Sequence, residues 1–210
     1  LFLLLSIPVC IFAAKPNVLL IYTDDQGTFD LNCYGSTDLH TPQLDALAER
    51  GIRFTRFYAA SSVCSPSRAA LLTGRYPHRA GVPHNAESHP THFGQGHGLA
   101  AGQITLAEVF RDAGYRTGHF GKWHLGNDPG PNAQGFEQSV GFMGGVVDKW
   151  SHFNYGQAPW GKERWHDWWR NGEEEWAAGK HTGDLIIDEA LKFIQADDAP
   201  FFAYLAFGNP

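Results

Sequence analysis

Apolar and polar positions along the chain follow two periods in turn. Val18 to Tyr22, in NVLLIYTDDQG, is an unbroken apolar run ending in two carboxylates and a glycine. It predicts a strand buried on both faces, as in a parallel sheet. TPQLDALAERG sets Thr41 as N-cap and Pro42 at the first helical position, and stops at Gly51. IRFTRFYAA alternates and predicts a strand; SPSRAALLTG predicts a short helix with Pro66 near its start and Gly74 at its end. Thr105 then caps a helix with Leu106, Val109 and Phe110 as its apolar residues, Gly114 ends it, and YRTGHFGKWHLG reads as a strand running into a loop. TGDLIIDEALKFIQ carries Leu185, Ile186, Ala190, Leu191 and Ile194 as one helical stripe, and PFFAYLAFGNP is a last buried strand. Strands and helices alternate, so the expected class is α/β, a mostly parallel sheet flanked by helices.

Two stretches break the scheme. Residues 126–181 hold six of the seven tryptophans and many polar residues. Asn171-Gly172 between aromatic runs is a strong hairpin signal. The expectation is an insertion with a hairpin, placed over one end of the sheet, with Glu173 to Glu175 as its solvated edge. Trp165, Trp168 and Trp169 either pack the insertion onto the domain or line a glycan subsite. The second stretch is LFLLLSIPVCIFAA, residues 1–14, apolar and uncharged. It is too short for an ordinary spanning helix and reads as part of a signal peptide ending near Ala13 and Ala14, with a buried first strand or a lipid anchor at Cys10 as weaker alternatives. The expectation is an exported protein without a stable membrane span.

Composition narrows the class. The chain of 210 residues is 43% hydrophobic and 18% charged, as ordinary soluble proteins are. A net charge of −6 argues against nucleic acid as a partner. With the leader removed, Cys33 and Cys64 remain, either as a disulfide or with Cys64 reserved for chemistry. The chain has no Asn-x-Ser/Thr acceptor. That leans towards a bacterial periplasmic or secreted protein over a glycosylated lysosomal one.

The candidate chemistry lies where strands end. Asp24 and Asp25 close the first strand, where open α/β sheets gather ligands. Adjacent carboxylates repel unless a cation lies between them, and oxygen ligands favour Ca²⁺ or Mg²⁺; the alternative is a helix-capping turn. Cys64 precedes the helix that begins near Pro66, with Arg68 one turn in. A helix N-terminus and a guanidinium favour a thiolate or an anionic substrate; the plain alternative is a half-buried thiol. In GKWHLG, an extended chain sets Lys122 and His124 on one face. An ammonium and an imidazole together suit an anionic ester, one neutralising charge and the other protonating a leaving oxygen; a solvent-facing strand end is the alternative. His78, His84, His89, His92 and His97 match no zinc spacing and are expected as solvated loop residues.

Cys64-x-Pro66-Ser67-Arg68 followed by Leu72-Thr73-Gly74-Arg75 resembles the signature of the sulfatase family. NVLLIYTDDQG upstream and YRTGHFGKWHLG and PFFAYLAFGNP downstream match in order, over residues 16–210. The resemblance implies an alkaline-phosphatase-like α/β fold, here incomplete. It implies that Asp24 and Asp25 are Ca²⁺ ligands. It further implies that a separate formylglycine-generating enzyme converts Cys64 to formylglycine, whose hydrated form also faces the metal. Arg68 would support that diol, Lys122 would bind sulfate oxygen and His124 would hold the hydroxyl that is not the nucleophile. One hydroxyl attacks sulfur; the other loses its proton, the aldehyde reforms and sulfate leaves. The substrate class implied is a sulfated small molecule or glycan. Phosphonate or phosphate ester hydrolysis, or glycan binding without catalysis, are the alternatives. The family pattern continues past GNP to a His, an Asp-Asn pair and a Lys, so the expectation is an N-terminal portion that is inactive alone.

Overall fold

The computed structural model describes residues 14–86, 98–154 and 164–210. A six-stranded sheet runs in the order β1 (Val18–Tyr22), β8 (Phe201–Ala206), β2 (Arg116–Lys122), β3 (Gln138–Phe142), β6 (Trp169–Arg170), β7 (Glu173–Glu174). The first four are parallel and the β6–β7 hairpin is antiparallel, as the α/β pattern predicts. A separate pair is formed by β4 (Phe153–Asn154) and β5 (Trp165–His166). The helices are α1 (Pro42–Arg50), α2 (Cys64–Thr73), α3 (Pro77–Ala80), α4 (Leu106–Asp112) and α5 (Thr182–Ile194).

β8 lies between β1 and β2, and all six of its residues are buried. Side chains alternate along a strand, so a strand covered on both faces needs an apolar residue at nearly every position. Phe202, Tyr204 and Ala206 pack with Ala69 and Leu72 of α2 and with Trp123 and Phe136. Phe201, Ala203 and Leu205 pack with Leu185, Ile186, Ala190 and Phe193 of α5. The helix ends follow their sequence signals. Thr105 and Glu108 form a reciprocal capping box on α4, and Gly74 ends α2 in the left-handed conformation.

The parallel strands crowd together just before the site. Gly121 and Gly141 are register partners, and Gly121 also pairs with Ala206. Their φ angles are 115° and 158°. A Cβ on Gly121 would overlap the Ala206 carbonyl oxygen, and one on Gly141 would overlap that of Gly121. Only glycine combines this φ with so close an approach. The next residue is Lys122.

Four expectations are corrected. β1 is not buried on both faces: Leu19 and Ile21 are each 48% exposed, because β1 is the edge strand. Residues 52–60 form no strand. They have no strand pairing partner among the described residues, and Ile52, Phe54, Phe57 and Tyr58 are exposed. Asn171-Gly172 does turn a hairpin, with φ 50° and 85°, but it extends the sheet beside β3 rather than covering one end. Leu191 in the expected stripe of α5 is exposed, and Phe193 is buried in its place. Trp168 is a core residue packed on Phe142, so for it the packing alternative holds. Cys33 and Cys64 are both free thiols. Residues 1–13 and His89, His92 and His97 lie outside the described residues; His78 and His84 are exposed.

Candidate active site

Cys64 is the first residue of α2, after Val63 in extended conformation. Pro66 lies in the first turn, where its missing N–H is no loss. The turn is pinned from outside: the Ser65 N–H donates to Asn85 Oδ1 at 3.1 Å, and Ser65 Oγ accepts from the Ala86 N–H at 2.9 Å. Ser67 Oγ lies 2.7 Å from the Tyr22 hydroxyl, which fixes α2 against the end of β1.

Four residues on, and so on the same helix face, Arg68 is fully buried. One guanidinium nitrogen donates to the Lys122 carbonyl at 2.9 Å and to the Tyr204 hydroxyl at 3.3 Å. The other donates to Asp24 Oδ1 at 3.4 Å and to the Phe207 carbonyl at 3.5 Å. The group also lies over the Tyr22 ring, 5.2 Å from its centroid. Lys122 Nζ, at the end of β2, donates to Asp24 Oδ2 at 2.5 Å and lies 3.3 Å from Cys64 Sγ. Asp24 thus bridges both cations. Burial opposes its charge, but the Lys122 bond and the Lys122 and Arg68 charges prevail and hold its pKa below the usual value.

Asp24, Asp25, Gln26, Ser62, Cys64 and Arg68 are among the residues lining an open cavity of about 320 Å³. The carboxylates of Asp24 and Asp25 and the amide of Gln26 are the donor type of a hard divalent cation. No group of three or more His, Cys, Asp or Glu side chains placed to hold a metal occurs among the described residues, so the two carboxylates alone fall short of the six or more oxygens such an ion takes.

The expected alternation of Lys122 and His124 along an extended strand is corrected. β2 stops at Lys122, and His124 has a φ of 52°. His124 is nonetheless buried, its backbone N–H donates to the Met143 carbonyl at 3.1 Å, and a Cβ on Gly145 would stand 2.7 Å from its Cε1. Burial, followed by the charges of Lys122 and Arg68, lowers its pKa to about 3. The imidazole is therefore neutral at physiological pH.

Of the six expected residues, Asp24, Cys64, Arg68 and Lys122 form one contact network. Asp25 lines the same cavity, and His124 lies within their electrostatic reach. Sequence reasoning missed Tyr22, Ser67 and Tyr204, the polar tips that hold the network. The only signal was a hydroxyl-bearing ring in each of two apolar strands. Tyr204, buried beside Arg68, has its pKa pushed up to about 12 by burial.

Beneath the network His119 is fully buried, with Nδ1 3.0 Å from Ser139 Oγ, and burial lowers its pKa to about 3. The folded state keeps the ring neutral, while the unfolded chain binds a proton below pH 6.5. Stability from this residue is therefore present above pH 6.5 and is lost as pH falls towards 3. Between pH 7 and 5 the loss is about 2 kcal/mol. Urea denaturation at both pH values should show a smaller acid loss in His119→Gln than in the parent.

A parallel α/β sheet that gathers a thiol, two carboxylates and two cations at its strand ends has the architecture of a site for anionic esters. The sulfatase family model matches residues 16–210, and the chain belongs to that family. It is 48% identical to arylsulfatase A of Homo sapiens over 133 residues, 61% of this chain and 25% of that protein. It is 34% identical to the N-acetylglucosamine-6-O-sulfatase of Bacteroides thetaiotaomicron over 184 residues, 88% of this chain and 28% of that protein. The crystal structure of Ps i-CgsB in complex with k-i-k-neocarrahexaose superposes with a TM-score of 0.79 at 34% identity, covering 92% of this chain and 45% of that one. BT4656 in complex with its substrate, D-glucosamine-2-N,6-O-disulfate, gives 0.74 at 29% identity, covering 93% and 35%. The alkaline-phosphatase-like fold is shared with these neighbours, and the chain spans less than half the length of each of these relatives.

Proposed function

We propose that the protein hydrolyses sulfate esters at residue 64, and that its substrate is a sulfated glycan. The observation that carries this is the placement of Cys64 Sγ at a helix N-terminus, 3.3 Å from Lys122 Nζ, with Asp24 joining Lys122 to Arg68. Lys122 neutralises a sulfate oxygen brought to Sγ. Arg68, held by four acceptors, keeps Asp24 and the Lys122 backbone in place while the substrate's charge shifts. Neutral His124 accepts or donates one hydrogen bond at residue 64 without adding charge. Formylglycine at this position, when hydrated, would supply a nucleophilic oxygen and a second hydroxyl for the release of sulfate. Asp24 and Asp25 would hold Ca²⁺, whose chemistry there is charge stabilisation. No helix among the described residues is long and apolar enough to cross a membrane, and export rests on the apolar stretch at residues 1–14.

The test compares turnover of aryl sulfate and aryl phosphate by the full-length protein made with a formylglycine-generating enzyme, with mass spectrometry of the peptide carrying residue 64. Aldehyde at residue 64 and a preference for sulfate are expected. Full activity with an unmodified thiol, or a preference for phosphate, would overturn the proposal. For the metal, Asp25→Asn is the cleaner variant, because Asp25 is exposed whereas Asp24 is tied into ion pairs. It is expected to lower bound Ca²⁺ per chain and the Ca²⁺-induced rise in Tm, with the Tm in chelator unchanged. Equal metal content would remove Asp25 from the ligand set.

A further inference from the structure

Lys149 is a cation beside the site that the network above does not use. It belongs to the tryptophan-rich segment, between β3 and β4. Its backbone is fixed, because its carbonyl accepts from the N–H of Thr182, the first residue of α5, at 2.9 Å. Its Nζ donates to the Gly208 carbonyl at 2.6 Å and lies 5.8 Å from the centroid of the Phe142 ring. Both partners locate it. Phe142 is the register partner of Lys122. Gly208 lies between Phe207, whose carbonyl accepts from Arg68, and Asn209, whose carbonyl accepts from the Asp24 N–H. Three successive carbonyls beyond β8 thus touch Arg68, Lys149 and Asp24. A Cβ on Gly208 would stand 2.7 Å from the Phe142 ring and 3.1 Å from Lys149 Nζ, so the contact depends on a glycine.

The ammonium has no ion-pair partner among the described residues. An ammonium has three donors, and one is occupied here. Burial lowers the Lys149 pKa, and the Lys122 charge adds to this, against the opposing pull of Asp24 and Asp148. A half-buried cation beside a second cation is a costly arrangement that an incoming anion offsets.

We propose that Lys149 forms a second anion subsite next to the cleavage site, so that the preferred glycan carries a further sulfate or a carboxylate close to the ester that is cut. This depends on the sulfate-ester assignment above for its first subsite. Lys149 in this role determines specificity and takes no part in bond breaking. An ammonium that only caps the Gly208 carbonyl predicts no such preference.

The test uses full-length protein carrying Cys64→Ala, which has no nucleophile at residue 64, so that binding is read without turnover. Phenyl sulfate presents one anion, catechol bis-sulfate two sulfates, and 2-carboxyphenyl sulfate a sulfate and a carboxylate. Calorimetry is expected to show one or both dianions binding about tenfold tighter than phenyl sulfate. Which dianion gains identifies the second group. Lys149→Gln should erase that advantage and leave phenyl sulfate within about twofold, while Lys149→Arg should keep most of it. Equal affinity for all three probes in the parent, or an unchanged ratio in Lys149→Gln, would overturn the subsite. Failure of the sulfatase assignment appears separately, as absence of aryl sulfate turnover by the formylglycine-bearing parent.

Discussion

Cys64→Ala is expected to abolish sulfate-ester turnover, by at least about ten-thousandfold, while the protein stays folded. The two halves of this result have separate causes. The Cys64 thiol lines the cavity 3.3 Å from Lys122 Nζ, and alanine leaves nothing at that position to attack sulfur. The fold does not depend on it. Cys64 is half-buried, while the start of α2 is held by Ser65, Ser67 and their partners Asn85, Ala86 and Tyr22. The stability change should stay within about 1 kcal/mol. Turnover of an aryl sulfate under saturating conditions, with urea denaturation on the same samples, checks both. A variant retaining a tenth of the parental rate would remove residue 64 from the chemistry.

Arg68→Ala should damage stability and activity together. Arg68 serves four acceptors from three parts of the chain: Asp24 after β1, the Lys122 carbonyl on β2, and Tyr204 and Phe207 on and beyond β8. Truncation leaves those groups short of a donor and opens a hole in a region where Arg68 is 1% exposed. Removing one partner of a buried charged network costs about 3–5 kcal/mol. Loss of aligned charge at the site costs a further hundredfold or more in rate. Arg68→Lys separates the causes. It keeps the charge but lacks the planar fork, so it cannot serve the Lys122 carbonyl and Asp24 together. It should recover part of the stability and little of the rate. If Arg68→Ala unfolds at the parental urea concentration, the network described here does not hold the site.

Much of this was legible from local pattern. Thr105 with Glu108, Pro42 before Gly51, and Pro66 before Gly74 each name a helix end through backbone chemistry that needs no tertiary context. Asp24, Cys64 and Lys122 stood out as candidates because each sits at the end of a strand or the start of a helix, with Arg68 one turn in, and the structure brings the four into contact; their roles came from the family resemblance rather than from position. The failures share a different cause. Whether IRFTRFYAA pairs as a strand, and whether Leu19 and Ile21 are covered, depends on which strand lies alongside, and alternation carries no information about neighbours. The backbone turn at His124 and the partners of Lys149 are equally tertiary. A positive φ at a histidine and a carbonyl at Gly208 leave no mark in composition or period.

The pairing of β1 with β8 bears on how the protein comes into being on the ribosome. Val18 is in register with Phe202, and the Asn17 side chain accepts from the Phe201 N–H, 184 residues further along the chain. At about 5–20 residues per second, Val18–Tyr22 emerges roughly ten to forty seconds before the strand that receives it. Until then Leu19 to Tyr22 have no partner, and Asp24 cannot be brought to Lys122. The contact network at Asp24 therefore closes only late in synthesis, after β8 has been made.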